Sequence, residues 1–154
     1  MMKAIKTLTL ASGLALGLAL APLAHAHDDA YLDTLTAPHG GQLRMAGSSH
    51  YELVVVKDSK AAKDNTIVVY VTDHAGTKIP TAGASGSVTL LSGKTKVSAA
   101  LAPDGDNKLT GHAVYASQPD LKAVVKIKLA GQDEQQARFT PLAPRADDHE
   151  SHKH

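Results

Sequence analysis

The chain has 154 residues, with 16 Lys and Arg, 15 Asp and Glu, and no cysteine. The absence of cysteine excludes disulfides and thiolate metal sites, so any metal must be held by nitrogen, oxygen or methionine sulfur. A net charge near zero gives the chain no electrostatic reason to bind nucleic acid or an anionic membrane. Its length suits a single domain, and its nine histidines are more than an average composition leads us to expect.

The first 26 residues are typical of a cleavable signal peptide. Two lysines precede an apolar run over residues 8–20, and Ala24-His25-Ala26 has the small-x-small pattern of a signal peptidase site. The run is shorter than the ~20 residues that a transmembrane helix needs. We therefore predict export to the periplasm, cleavage after Ala26 and no stable membrane insertion of the mature chain.

The remaining sequence divides into three predicted parts. Residues 27–36 form a polar stretch that is expected to be a flexible lead, residues 37–142 a β-rich domain, and residues 143–154 a disordered tail rich in histidine and acid. In the domain, short runs of β-branched and aromatic residues alternate with Gly, Pro, Asn and Asp at roughly 10-residue spacing. Outside the signal peptide, no stretch has convincing helical periodicity.

This spacing predicts an all-β fold, an immunoglobulin-like β-sandwich of seven to eight short antiparallel strands. A small antiparallel barrel is the alternative, because strand count and spacing do not determine whether the sheet closes. The runs at 50–57 and 66–72 are expected to be adjacent core strands. The other predicted strands, in chain order, are 42–46, 87–91, 94–101, 108–115, 121–129 and 134–140. Within 121–129, apolar residues alternate with lysines, which predicts a half-buried strand.

The sequence contains no arrangement of residues typical of an enzyme. No serine has a nucleophile-elbow context, no Gly-rich loop opens a helix, and paired carboxylates occur only in turns or in the tail. We therefore predict that the protein is not an enzyme. The histidines are the remaining candidates for chemistry, and they indicate a divalent transition metal: copper or zinc first, with nickel and cobalt as alternatives.

Two candidate metal-binding segments lie at the ends of the mature chain. After cleavage, His27 would carry its α-amino group and its ring nitrogen on one residue, a chelate suited to Cu(II). The tail alternates acidic residues with three histidines and resembles a flexible chelating tract: His149, His152 and His154. Each segment also has a non-metal interpretation, a cleavage remnant for the first and a solubilising end for the second.

Within the domain, four further residues are candidate ligands. His50 and Glu52 are two apart, so both leave the same face of a strand with Cα atoms about 7 Å apart, within reach of one ion. His39 follows a proline and precedes a glycine pair that lets the backbone pass close to a neighbour, so it is the internal histidine most strongly indicated. His112 lies on a late strand and is expected to face solvent or the rim. His74 is interpreted as a polar residue of an exposed turn.

Several motifs together resemble a known group of proteins: Pro38-His39-Gly40-Gly41, Tyr51-Glu52-Leu53-Val54-Val55, Val69-Tyr70-Val71-Thr72-Asp73 and Gln136-Ala137-Arg138-Phe139-Thr140-Pro141-Leu142. The chain is similar to small secreted proteins of proteobacterial heavy-metal resistance clusters, and to the related module that precedes some periplasmic adaptor subunits of metal efflux pumps. The resemblance implies a periplasmic role in copper, zinc, cobalt or nickel tolerance. It matches at His39 with its glycine pair and at Glu52.

The sequence thus predicts a periplasmic transition-metal-binding accessory protein, a carrier or a sequestering protein, in heavy-metal resistance or efflux. Its expected partners are the metal ion and an adaptor or pump subunit of a metal efflux system. The alternative is a protein-interaction module that docks on such an adaptor or pump component, with the histidines incidental.

Overall fold

The structure is a computed structural model that describes residues 25–145, with side chains from Asp29 onward. The described residues form one helix, α1 (His25–Asp33), followed by eight strands. The strands are β1 (Gln42–Ala46), β2 (Ser49–Val55), β3 (Lys63–Asp73), β4 (Ser85–Ser92), β5 (Thr95–Pro103), β6 (Lys108–Tyr115), β7 (Lys122–Lys128) and β8 (Gln135–Phe139). The predicted all-β class is confirmed.

All eight strands belong to one antiparallel sheet with the order β1-β2-β3-β6-β5-β4-β7-β8. Strand β5 joins the two halves, since most of it pairs with β4 while only Ala102 and Pro103 pair with β6. The sheet curls until its two edges meet, where the Thr140 N–H donates a 2.8 Å hydrogen bond to Gln42 Oε1. The strands therefore form a nearly closed barrel, the arrangement named as the alternative to a sandwich.

The core fills the inside of this curl. Along β7, Ala123, Val125 and Ile127 are buried while the intervening lysines are exposed, which confirms the predicted alternation. The buried side chains are mostly Val, Leu, Ile and Ala, with Tyr51 and Phe139 among the few aromatic ones. Burial, with a smaller contribution from Glu134, raises the pKa of Tyr51 to about 12.

Helix α1 differs from the flexible lead expected over residues 27–36. It packs on β1 through buried Leu32, and Arg44 on β1 donates to Asp33 at 2.6 Å. The backbone N–H of Met45 also donates to Asp29 Oδ1 at 3.1 Å. One buried leucine produces no helical period in the sequence, so tertiary contacts rather than local pattern stabilise this nine-residue helix. No helix within residues 25–145 is long and apolar enough to cross a membrane.

Candidate functional site

A groove of about 380 Å³ crosses the outer face of β2 and β3 and brings together most of the histidines of the domain. We call it the histidine groove and define it by His39, His50, Glu52, Tyr70 and His74. The C-terminal end of α1 forms one wall, and the turn after β3 forms another.

Strand register explains why these side chains share one face. On β2, His50 and Glu52 flank Tyr51, which points into the core, so both face outward as predicted. Glu52 pairs with Tyr70 across the ladder, and His50 pairs with Thr72. Directly opposed residues on an antiparallel pair lie about 4.5–5.5 Å apart, so the two strands present one continuous polar surface.

The loop before β1 delivers His39 to this surface. A turn closes when the Gly40 N–H donates to the Ala37 carbonyl at 3.1 Å, and Gly40 has a φ of 72°, which glycine adopts without strain. Gly41 lies so close to β2 that a Cβ there would sit 2.4 Å from the Leu53 carbonyl oxygen. The glycine pair therefore lets the backbone approach the strand, in agreement with the sequence prediction.

Glu52 is buried, and hydrogen bonds occupy both of its oxygens. Oε1 accepts the backbone N–H groups of His39 at 2.8 Å and Gly41 at 3.0 Å. Oε2 contacts His39 Nδ1 at 2.8 Å. A buried carboxylate is tolerated only with such partners. Glu52 therefore anchors the loop and orients His39, and its role as a metal ligand stays a prediction.

The contact with Glu52 fixes the tautomer of His39. A carboxylate can only accept a hydrogen bond, so Nδ1 carries the hydrogen and the lone pair of the neutral ring lies on Nε2. The ring stacks on Tyr70 with centroids 3.6 Å apart and planes within 2°, and the side chain remains 41 % exposed. A carboxylate behind a histidine is the usual support for a metal-ligating imidazole. The neutral ring of His39 thus has its hydrogen-bonded nitrogen on Glu52 and its lone pair on Nε2.

His50 and His74 form a second pair in the groove, with ring centroids 4.8 Å apart and planes at 19°. A tight turn holds His74 there. Asp73 Oδ1 accepts the backbone N–H groups of Thr77 at 2.8 Å and Ala75 at 2.9 Å. These bonds, the one from Thr77 foremost, lower the pKa of Asp73 below its ordinary value.

The other predicted ligands lie elsewhere. His112 projects outward from β6, is mostly exposed and lies 3.6 Å from Asp64, away from the groove. The side chain of His27 and the whole tail fall outside the described part of the chain, which leaves these predictions open: His27, His149, His152 and His154. Among residues whose side chains are described, no three or more His, Asp or Glu converge on a point that could hold a metal ion. The histidine groove therefore consists of two neighbouring pairs.

Sequence reasoning missed two members of the groove, Tyr70 and His74. Tyr70 was assigned to a core strand without a role, and His74 was interpreted as a turn residue. The register of β2 against β3 brings both residues to the site. His74 follows Thr72 by two residues, so it is the diagonal neighbour of His50, the partner of Thr72. Two adjacent strands could be predicted from composition, but their register could not.

Comparison of the chain with protein-family models, with curated proteins and with solved structures finds no match. A functional assignment therefore depends on the chemistry of the histidine groove. Its distinguishing feature is a half-exposed imidazole backed by a buried carboxylate, beside a second pair of imidazoles.

Proposed function

We propose that the protein binds one divalent transition-metal ion, copper or zinc, in the histidine groove. In this proposal it is a periplasmic carrier or sequestering accessory of a metal efflux system. The observation that carries the proposal is the Glu52–His39 pair, which leaves the lone pair of the neutral ring on Nε2 of a histidine that lines the groove together with His50 and His74.

Imidazole nitrogen suits both metals, and a chain without cysteine has no thiolate to offer. His39 is the fixed ligand, because Glu52 and Tyr70 restrain its ring. Successive outward positions on a strand are about 7 Å apart, so the His50 and His74 rings must unstack and turn toward His39 to share one ion. Binding therefore rearranges the second pair while the first stays in place.

The proposed role as a carrier follows from the exposure of the site. His39 is partly exposed and His74 lies in an exposed turn, so an ion held there can be exchanged with a partner. Three neutral ligands bind less tightly than a buried thiolate site, which suits transfer better than permanent storage. The resemblance to metal-resistance proteins supports the periplasmic location and the link to efflux.

Calorimetric titration of the chain from His27 onward with Cu²⁺, Zn²⁺, Ni²⁺ and Co²⁺, combined with native mass spectrometry, tests the proposal. We expect one tightly bound ion that is lost in His39→Ala. Binding should persist in His112→Ala, a matched variant of an exposed histidine outside the groove. It should also persist when all three tail histidines are replaced by alanine: His149, His152 and His154.

Two results would contradict the proposal. If binding survives His39→Ala but disappears when the N-terminal amine is acetylated or the tail histidines are replaced, the site lies at an end of the chain. If none of the four metals binds at all, the alternative of a docking module for an efflux adaptor or pump component becomes the better account.

A further inference from the structure

A second groove, of about 490 Å³, lies on the other half of the sheet, across the outer faces of β4, β7 and β8. Its floor is apolar. Leu91 is 38 % exposed there and Val124 is partly buried, and both face outward from their strands. We call this the basic groove because of the side chains around that floor.

Three cations surround the apolar floor at positions fixed by strand register. Lys96 and Lys122 are the two cross-strand partners of Leu91, one on each side. Arg138 is the partner of Val124. The Cβ atoms of each cation and of the apolar residue that it flanks are therefore about 4.5–5.5 Å apart.

Three of the four cations that line this groove have no acidic partner among its described lining residues. Of the described residues that line it, none is Asp or Glu. The fourth lining cation, Arg44, is already paired with Asp33 at 2.6 Å. Lys96, Lys122 and Arg138 thus present a positive potential over an apolar surface, the complement of a molecule with an anionic head and an apolar chain.

We propose that the basic groove binds a monomeric anionic amphiphile, a single apolar chain that ends in a carboxylate or phosphate. The chain would lie on Leu91 and Val124, and the head would be held by Lys96 and Lys122. This site is separate from the histidine groove and independent of metal binding.

The dimensions favour a small ligand over a protein partner. The volume falls within the roughly 300–1,000 Å³ of ligand pockets. A stable protein interface buries about 800 Å² on each partner around a central apolar cluster, whereas the exposed apolar surface here amounts to little more than two side chains. The groove also lies on the face of the sheet, where a partner strand cannot add by backbone pairing.

Calorimetric titration of the metal-free chain from His27 onward with decanoate and decyl phosphate, below their micelle concentrations, tests this inference. Decyl maltoside serves as the uncharged amphiphile. Amide chemical-shift mapping locates the binding site. The test variants are Lys96→Gln combined with Lys122→Gln, and Leu91→Ser. The matched control replaces two exposed lysines outside the groove, Lys60→Gln with Lys63→Gln.

We expect one decanoate or decyl phosphate per chain, with shifts confined to β4, β7, β8 and the start of β5 at Lys96. The double lysine variant should weaken binding by about fivefold or more, and the control pair by less than about twofold. Leu91→Ser should weaken binding without altering the fold, because the side chain is partly exposed.

Three results would overturn the proposal. Equal binding of decyl maltoside would show that charge is irrelevant. Equal weakening in the control pair would show a non-specific electrostatic effect. Tighter binding to phosphatidylglycerol vesicles or to polyglutamate than to decanoate would make the face a docking surface for a membrane or an acidic protein.

Discussion

Replacement of Glu52 by glutamine is the most direct perturbation of the proposed metal site, because the two side chains have nearly the same shape. The amide oxygen of glutamine can still accept the backbone N–H groups of His39 and Gly41. Its NH₂ group then faces His39 Nδ1 and can only donate. Nδ1 must therefore become the acceptor, and the ring hydrogen moves to Nε2, the atom proposed to bind the metal.

The size of the effect follows from these contacts. Loss of a supporting partner of a metal-ligating histidine typically reduces metal affinity by about 10–100-fold. The free energy of unfolding should fall by only about 1–3 kcal/mol, because two of the three hydrogen bonds persist with a neutral acceptor and the third persists with its direction reversed. Affinity should thus fall far more than stability.

Zn²⁺ titration measures the affinity of Glu52→Gln, and ring ¹⁵N chemical shifts report the tautomer of His39. Glu134→Gln is the matched control, since that carboxylate is exposed and its contact with Lys126 is 4.0 Å long. An unchanged Zn²⁺ affinity in a folded Glu52→Gln protein whose His39 tautomer has switched would refute the assignment of His39 as a ligand.

Three further outcomes are expected. Metal affinity, measured by calorimetry, should fall by more than about tenfold between pH 7 and pH 5, because imidazole protonates near ~6.5 and the protonated ring does not bind metal. Constant affinity over that range would exclude imidazole ligands. Gly41→Ala should lower the free energy of unfolding by about 1–3 kcal/mol in chemical denaturation, since the new Cβ would overlap the Leu53 carbonyl. Gly93→Ala is the comparison, because its Cβ would meet no neighbour and only the positive φ of Gly93 opposes the substitution. The folded state lowers the pKa of Asp73, so the Asp73 carboxylate stabilises the folded state fully above its unfolded pKa of ~3.9. This stabilisation is lost as pH falls through the lower folded pKa. The Thr77 amide resonance should shift with that loss, and the shift should be absent in Asp73→Asn.

The strands were predictable because their signals are local. Alternation over 121–129 identified the inward and outward faces of β7, and the predicted strands 87–91 and 94–101 correspond to β4 and β5, which pair as a hairpin. Closure of the sheet depends on contacts between residues far apart in sequence, such as Gln42 with Thr140. No local pattern carries that information, so the sequence could not decide between the predicted sandwich and its barrel alternative.

The candidate site was predictable only in part for the same reason. The proline and glycines around His39 indicated a close backbone approach, and the structure contains it. The spacing of His50 and Glu52 correctly predicted a shared face, but it could not show that hydrogen bonds already occupy both oxygens of Glu52. Satisfaction of a buried carboxylate is a property of its three-dimensional neighbours, so the anchoring of the loop by Glu52 could be seen only in the fold.

A purely structural role for the Glu52–His39 pair makes a different prediction from a metal-binding one. The backbone N–H groups of His39 and Gly41 anchor the loop to Glu52 whatever the side chain at position 39, so the ring contact is not needed for anchoring. His39→Ala removes one hydrogen bond and the stacking on Tyr70 from a half-exposed site, a loss of about 1–2 kcal/mol in the free energy of unfolding.

Metal binding should be lost in the same variant while the loop stays in place, as shown by unchanged amide resonances of β1 and β2. His39→Gln provides the comparison, because its amide can restore a donor to Glu52 but offers only a poor ligand to copper or zinc. If His39→Gln regains stability but not metal affinity, the ring is present for its Nε2. If neither variant affects metal affinity and both destabilise the loop, the imidazole serves the fold alone.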